Sequence, residues 1–178
     1  MRRDSISLVG FMCSGKSAVG RRLATTLGLD FVETDALVEA AAGLAIRDIF
    51  ELYGEEYFRG LEHAALDSAT LRNDCVVACG GGVVTRQENI SLLRERTTVV
   101  WLDVTVDQVV KRLRGQPDTR PLLAGPDPEG RAAAMLGERR PMYEAAADIR
   151  IATSGRPPDD VVDRIVTALE DWHGSANI

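Results

Sequence analysis

The stretch that most narrows what this chain can fold into runs from Ser5 to Gly20, SISLVGFMCSGKSAVG. Its first part is short, apolar and β-branched, as a buried strand requires. Its middle, GFMCSGKS at residues 10–17, spaces glycine, four residues, glycine, lysine and serine. The adjoining segment, KSAVGRRLATTLG, has a helical pattern with Gly28 at its C-terminal side. A strand, a glycine loop and a helix in that order bring successive backbone N–H groups onto phosphate oxygens, and the helix adds its positive end. Cys13, Ser14, Gly15, Lys16, Ser17 and Ala18 are therefore the expected nucleotide contacts. Lys16 would reach the outer phosphates as a point charge, and Ser17 would offer its hydroxyl to Mg²⁺. A chance glycine loop is the plainer alternative, and the flanking strand and helix count against it.

The rest of the chain repeats the alternation. DFVETD, CVVACGGG, TTVVWLD and DIRIAT read as further strands. Between them ALVEAAAG, IRDIFELYG, EEYFRGLEHAALDSATL, RQENISLLRER and VDQVVKRLRG read as helices, with Phe58, Leu61, Ala65 and Leu66 forming one apolar stripe. QPDTRPLLAGPDPEG lacks any period and reads as a mobile loop. RAAAMLGERRPMYEAAA returns to helix with an interruption near Pro141, PPDDVVDRIVTALEDW is the last helix, and HGSANI reads as a frayed tail. Strands separated by crossover helices make a parallel sheet covered on both faces, an α/β fold.

At 178 residues, with no internal repeat and no dividing linker, the expectation is a single domain over 1–178. The net charge of −6 argues against nucleic acid or an anionic membrane as partner. An anionic substrate would then need local arginines. No leader is read in MRRDSISLVGF, and no run approaches the ~20 apolar residues of a membrane span. Cys13, Cys75 and Cys79 are odd in number and do not make a disulfide framework, which fits a reduced cytoplasmic setting.

Three constellations bear on the acceptor. In FVETD, Glu33 and Asp35 stand two apart at the end of a strand and would share a face there. Two carboxylates facing a phosphate loop could hold Mg²⁺ and an acceptor hydroxyl; a helix N-cap is the alternative for this stretch. In FRGLE, Arg59 and Glu62 are i and i+3 on a helix. They make either an exposed ion pair worth ~0–1 kcal/mol or an arginine fork, steadied by its glutamate, aimed at a carboxylate. In CGGGVV, three glycines after a buried strand allow a ligand or another backbone to come very close, where a simple turn would need fewer.

Taken with TRPLL and RRPMY, these motifs resemble the shikimate kinase family of nucleoside-monophosphate-kinase-like P-loop proteins over nearly the whole chain. The resemblance implies a P-loop NTPase-type fold: a five-stranded parallel sheet, order 2-3-1-4-5, flanked by helices, with a mobile lid at 115–128 and a shikimate-binding helical segment at 35–62. It implies transfer of the ATP γ-phosphoryl group to the 3-hydroxyl of shikimate, with ATP and Mg²⁺ as cofactors and a monomeric protein. Catalysis falls to Lys16, Asp35 and Arg120: Asp35 holds and helps deprotonate the hydroxyl, and Arg120 reaches the phosphates from the lid. Asp35, Arg59, Gly80, Gly81, Gly82 and Arg139 bind shikimate, with Arg59 and Arg139 clamping its carboxylate. Ser17 and Glu33 serve the metal. Arg156, with Arg114 or Arg112, matches the arginines that flank adenine.

Two positions depart from that pattern. Glu33 stands where the family usually has aspartate, and Cys13 where glycine or alanine is more usual. Asp103, ending TVVWLD, imitates a metal-binding strand end but reads as a strand terminus or helix cap. His63 and both tryptophans read as structural. A gluconate-kinase-type enzyme and a kinase-like regulatory protein with weakened catalysis are the alternatives to be separated.

Overall fold

A computed structural model describes residues 5–113 and 126–175. The opening apolar run forms β1 (Ile6–Val9), and the loop after it leads into α1 (Lys16–Leu27), closed by Gly28 in the left-handed conformation. β2 (Asp30–Glu33), α2 (Thr34–Ala42), α3 (Ile46–Thr70) and β3 (Cys75–Ala78) come next. After a 3-10 turn at Val83–Thr85 come α4 (Gln87–Arg96), β4 (Thr98–Asp103) and α5 (Val106–Leu113). α6 (Pro128–Ala146), β5 (Ile149–Ala152) and α7 (Pro158–Ser175) complete the order.

The five strands form one parallel sheet in the order β2-β3-β1-β4-β5. β1 lies between β3 and β4, with Ile6 opposite both Val76 and Thr98. The chain thus leaves β1 at the point where the strand order reverses, where open α/β sheets bind their ligands.

Because successive side chains alternate in direction, each strand feeds two cores. Ile6, Leu8, Val76, Val100 and Leu102 pack under α1 and α7 against Leu23 and Ile165. Val9, Val77, Val99 and Trp101 pack on the other face against Leu66 of α3, Leu93 of α4 and Tyr143 of α6. Side chains such as Leu8, Leu23 and Leu66 are fully buried, each worth about 1.5–3 kcal/mol relative to exposure. A third, smaller cluster of Val38, Ile49, Phe58 and Ala65 joins α2 to α3. The expected stripe on α3 is present: Phe58, Ala65 and Leu66 are buried, and Leu61 packs partly against that third cluster.

Five local expectations need correction. β2 stops at Glu33, and Thr34 and Asp35 already belong to α2. The reason lies in the partner strand: Glu33 pairs with Ala78, the last residue of β3, so no ladder remains beyond it. Glu33 and Asp35 therefore do not share a strand face. α6 runs unbroken through Pro141; Arg139 and Tyr143, both buried, flank the proline and hold the helix to the core. α6 also starts at Pro128, inside the stretch expected to be loop, because Asp127 accepts the Gly130 amide at 2.8 Å and proline suits a first helical turn. α7 extends to Ser175, so HGS belongs to the helix. Trp101 is buried as expected, whereas Trp172 is 38% exposed.

Candidate active site

The loop between β1 and α1 takes its shape from unusual backbone angles. Gly10 has φ 149° and Gly15 has φ 97°. A Cβ on Gly10 would also lie 2.6 Å from the Leu102 carbonyl oxygen, so that position admits only glycine. Cys13, with φ 61°, is left-handed without being glycine. That conformation makes cysteine a strained occupant.

The loop ends at Gly15, where no side chain caps α1 and no acidic residue stands in its first turn. The first amides of α1, from Lys16, Ser17 and Ala18, are thus presented for an anion. Lys16 Nζ folds over the loop, donating to the carbonyls of Gly10 and Phe11 at 2.7 and 2.9 Å.

Beside the loop lies a cleft of about 430 Å³ lined by Cys13, Gly15, Ala18, Arg112 and Arg156 among others. Arg112 Nη1 donates to the Cys13 carbonyl, and Arg156 pairs with Asp160 at 3.0 Å. Arg156 and Arg112, both named from the sequence, thus line the same cleft. Arg114, Arg120 and residues 115–125 of the expected lid lie outside the described residues.

The Ser17 hydroxyl donates to Glu33 Oε1, and Arg21 reaches Glu33 Oε2 at 2.9 Å. Glu33 occupies the cap position of α2, but its side chain makes no cap bond. The helix-cap alternative thus fails for Glu33, and the sequence pattern gave no sign of its pairing with Arg21. An alcohol and a carboxylate oxygen meeting beside the phosphate loop are a hard, all-oxygen donor set, which suits Mg²⁺.

The glycines at 80–82 organise the acceptor side. None has the positive φ of a turn glycine; their small size serves close approach. A Cβ on Gly80 would collide with Glu62 Oε1 and stand 2.9 Å from Asp35 Oδ1. A Cβ on Gly82 would overlap the Arg59 guanidinium. A Cβ on Gly81 would stand 3.2 Å from the Met12 amide of the phosphate loop. The Gly81 carbonyl accepts Arg139 Nη1 at 3.3 Å. Asp35, Arg59 and Arg139 therefore converge on three consecutive residues that also abut the phosphate loop. The close neighbours the triple glycine implied are the side chains of the site itself. Thr34 fixes this turn by accepting the Gly80 amide at 2.9 Å.

Arg59 and Glu62 are buried, not a surface pair. Arg59 donates to Glu62 at 2.6 Å and to Glu55 at 2.9 Å. Burial lifts the Glu62 carboxyl above the usual carboxylate range despite the neighbouring Arg59, and Asp35 pushes the same way. Burial works against the Arg59 charge, but Glu62 and Glu55 together raise its pKa further, so it stays a fixed cation. Burial pushes the Cys79 thiol up to about 12, which makes it a packing group beneath the turn.

Asp103 ends β4 and accepts Arg140 and Arg150 at 2.8 and 2.7 Å. His63 Nδ1 meets Asn89 Oδ1 at 2.7 Å, while Asn89 Nδ2 donates to the Val83 carbonyl.

Known proteins point the same way. A family model described as Shikimate kinase matches residues 12–170. The chain is 48% identical over 168 residues to a shikimate kinase of Symbiobacterium thermophilum, covering 94% of this chain and 97% of that one. Its structure is similar to that of shikimate kinase from Acinetobacter baumannii in complex with shikimate, with TM-score 0.91, 35% identity and coverage of 94% and 93%. A gluconokinase from Sinorhizobium meliloti has TM-score 0.61 at 19% identity, covering 99% and 98% of the two chains, and so shares the fold. With one family model spanning residues 12–170, the chain belongs to the shikimate kinase family.

Proposed function

We propose that this protein transfers the γ-phosphoryl group of ATP to the 3-hydroxyl of shikimate, releasing ADP and shikimate 3-phosphate. The observation that carries the reading is the convergence of Asp35, Arg59 and Arg139 on Gly80–Gly82, directly against the phosphate loop. One carboxylate and two cations suit a small acceptor with a hydroxyl and a carboxylate group. The neighbouring structure that holds shikimate supports the same acceptor.

Phosphoryl transfer needs positioning and charge neutralisation more than covalent chemistry. The loop amides and Lys16 hold the phosphates, and α1 lends its positive end. Asp35 accepts the proton of the attacking hydroxyl, which makes that oxygen a better nucleophile as the bond forms. Arg59, locked by Glu62 and Glu55, and Arg139 take the shikimate carboxylate and orient the ring. Ser17 and Glu33 are the residues that would hold Mg²⁺, which supplies charge neutralisation at the phosphates when bound. Arg112 and Arg156 frame the base end of the cleft. The reading carries residues 35–62 as the acceptor-binding segment, 115–128 with Arg120 as the lid, and a single-domain cytoplasmic monomer. Among the described residues no helix is long and apolar enough to cross a membrane.

A coupled assay of ADP release tests the reading, with shikimate, quinate, gluconate and no acceptor run in parallel. Turnover with shikimate well above the other three is expected. Turnover with gluconate instead would move the protein to the gluconate-kinase reading. Nucleotide and shikimate binding without turnover would make it a regulatory relative.

A further inference from the structure

We propose that Tyr143 is a positioning residue of the acceptor site, its phenol holding the Gly81 carbonyl and so setting where Arg139 stands. The inference rests on the reading of Gly80–Gly82 and Arg139 as the shikimate pocket.

Tyr143 comes one helical turn after Arg139, so both side chains leave the same face of α6. Both reach one acceptor. The Tyr143 hydroxyl donates to the Gly81 carbonyl at 2.5 Å, and Arg139 Nη1 donates to the same oxygen at 3.3 Å. A carbonyl oxygen has two lone pairs and accommodates both donors. The two bonds are unequal, however: the phenol makes the short one and the guanidinium the long one. Arg139 is thereby only loosely committed to the backbone and keeps donors for a ligand.

The phenol itself is firmly placed. Tyr143 is fully buried. Its ring stacks on Trp101 with centroids 6.0 Å apart and planes 19° apart. Trp101 is in turn packed by the guanidinium groups of Arg140 and Arg150, 5.5 and 4.7 Å from its ring centre. Both arginines are tied to Asp103. Burial pushes the phenol well above its ordinary pKa, so it remains a donor.

Removing the hydroxyl leaves Arg139 as the nearest donor to the Gly81 carbonyl. The guanidinium would close on that oxygen and withdraw from the acceptor carboxylate. Gly81 packs on Met12 of the phosphate loop, but the loop's own bonds to Lys16 and the start of α1 do not involve Tyr143. The loss therefore falls on shikimate rather than on nucleotide.

The test is Tyr143→Phe, titrated by calorimetry with shikimate and separately with MgADP, alongside Arg139→Lys and the double variant. Shikimate affinity should fall roughly 5- to 20-fold, the scale of one hydrogen bond in a buried site. MgADP affinity should stay within about 2-fold, because the bonds Lys16 makes across the phosphate loop do not run through Tyr143. In the Arg139→Lys background the same change should cost less than about 2-fold, since coupled residues are not additive. Unchanged shikimate affinity in Tyr143→Phe, equal weakening of both ligands, or additive effects in the double variant would each overturn the positioning role. A wild-type protein that takes up no shikimate would instead defeat the functional reading on which it rests. If Tyr143→Phe does not fold, Trp101→Phe keeps the hydroxyl while loosening the stack. It should weaken shikimate alone by roughly 2- to 5-fold, the scale of an aromatic pair, and equal weakening of both ligands would again overturn the role.

Discussion

Arg59 Nη1 lies 2.6 Å from Glu62 Oε2, and the two side chains are only 6% and 1% exposed. Among the described residues the other Glu62 oxygen, Oε1, has no hydrogen-bond partner and points over Gly80 beside Asp35. A carboxylate so placed should report on pH. Burial holds its pKa above the ordinary range, and it must be ionised to grip Arg59. kcat/KM for shikimate should therefore decline on acidification at a higher pH than an ordinary glutamate would give. Glu62→Gln should move that acid limb downward, and an unmoved limb would remove Glu62 from it. The stability effect has the opposite sense. A raised folded-state pKa means tighter proton binding in the fold, so this group's contribution is full below the ordinary carboxylate range and is lost as pH rises through the raised value. Urea melts of the two proteins across that window measure the difference.

Asp35→Asn keeps the size of the side chain and removes its capacity to take a proton. kcat should fall roughly 10²- to 10⁴-fold, the range of general base catalysis, with nucleotide affinity little changed. Steady-state rates near wild type would take Asp35 out of proton transfer.

Gly82→Ala places a methyl group where the Arg59 guanidinium lies. The arginine must leave its bonds to Glu62 and Glu55 or the turn must shift. Shikimate binding should weaken by about 1.5–3 kcal/mol, the worth of a charged hydrogen bond, while MgADP binding holds. Calorimetry on both ligands checks it; an unaffected shikimate titration would detach Arg59 from the acceptor.

Glu33 touches Ser17 and Arg21 and caps nothing. Glu33→Ala should raise the Mg²⁺ concentration for half-maximal rate, and Glu33→Asp should keep or lower it. The melting temperature should change little, because the lost ion pair to Arg21 is exposed on the arginine side and such pairs are worth ~0–1 kcal/mol. Direct titration of Mg²⁺ against the nucleotide complex gives the reading without turnover. An unchanged Mg²⁺ curve in Glu33→Ala would exclude the metal role.

Cys13 sits at φ 61°, a conformation that costs an L-residue roughly 1–2 kcal/mol. Cys13→Gly should stabilise the fold by about 0.5–1 kcal/mol once the greater freedom of unfolded glycine is counted. The midpoint of urea unfolding is the measurement, and a lower midpoint would mean that the thiol's packing outweighs the strain. In the wild-type protein, MgATP should slow alkylation of Cys13 by iodoacetamide, since the residue lines the cleft beside the phosphate loop; peptide mapping with and without nucleotide decides it.

The sequence by itself determined the strand, glycine loop and helix of the P-loop, because the glycine spacing and the helix start are local. It likewise determined the alternation that makes a parallel sheet, and through its assembled motifs it pointed to Asp35, Arg59, Arg139 and the triple glycine. What it could not settle depends on partners far along the chain. Where β2 ends was decided by Ala78, on a strand beyond two intervening helices, because a strand persists only while its ladder does. Helix α6 crosses Pro141 because the buried side chains on either side outweigh one missing amide bond. Arg59 and Glu62 have the spacing of an ordinary surface pair, and only the closing of α3 over the glycine turn made the pair buried. Tyr143 closes the motif RRPMY, but nothing in that stretch says what its hydroxyl meets. Its hydroxyl meets Gly81, 62 residues earlier, only because α6 packs against β4 and the turn at Val83–Thr85, and no pattern read along the chain contains a distance of that kind.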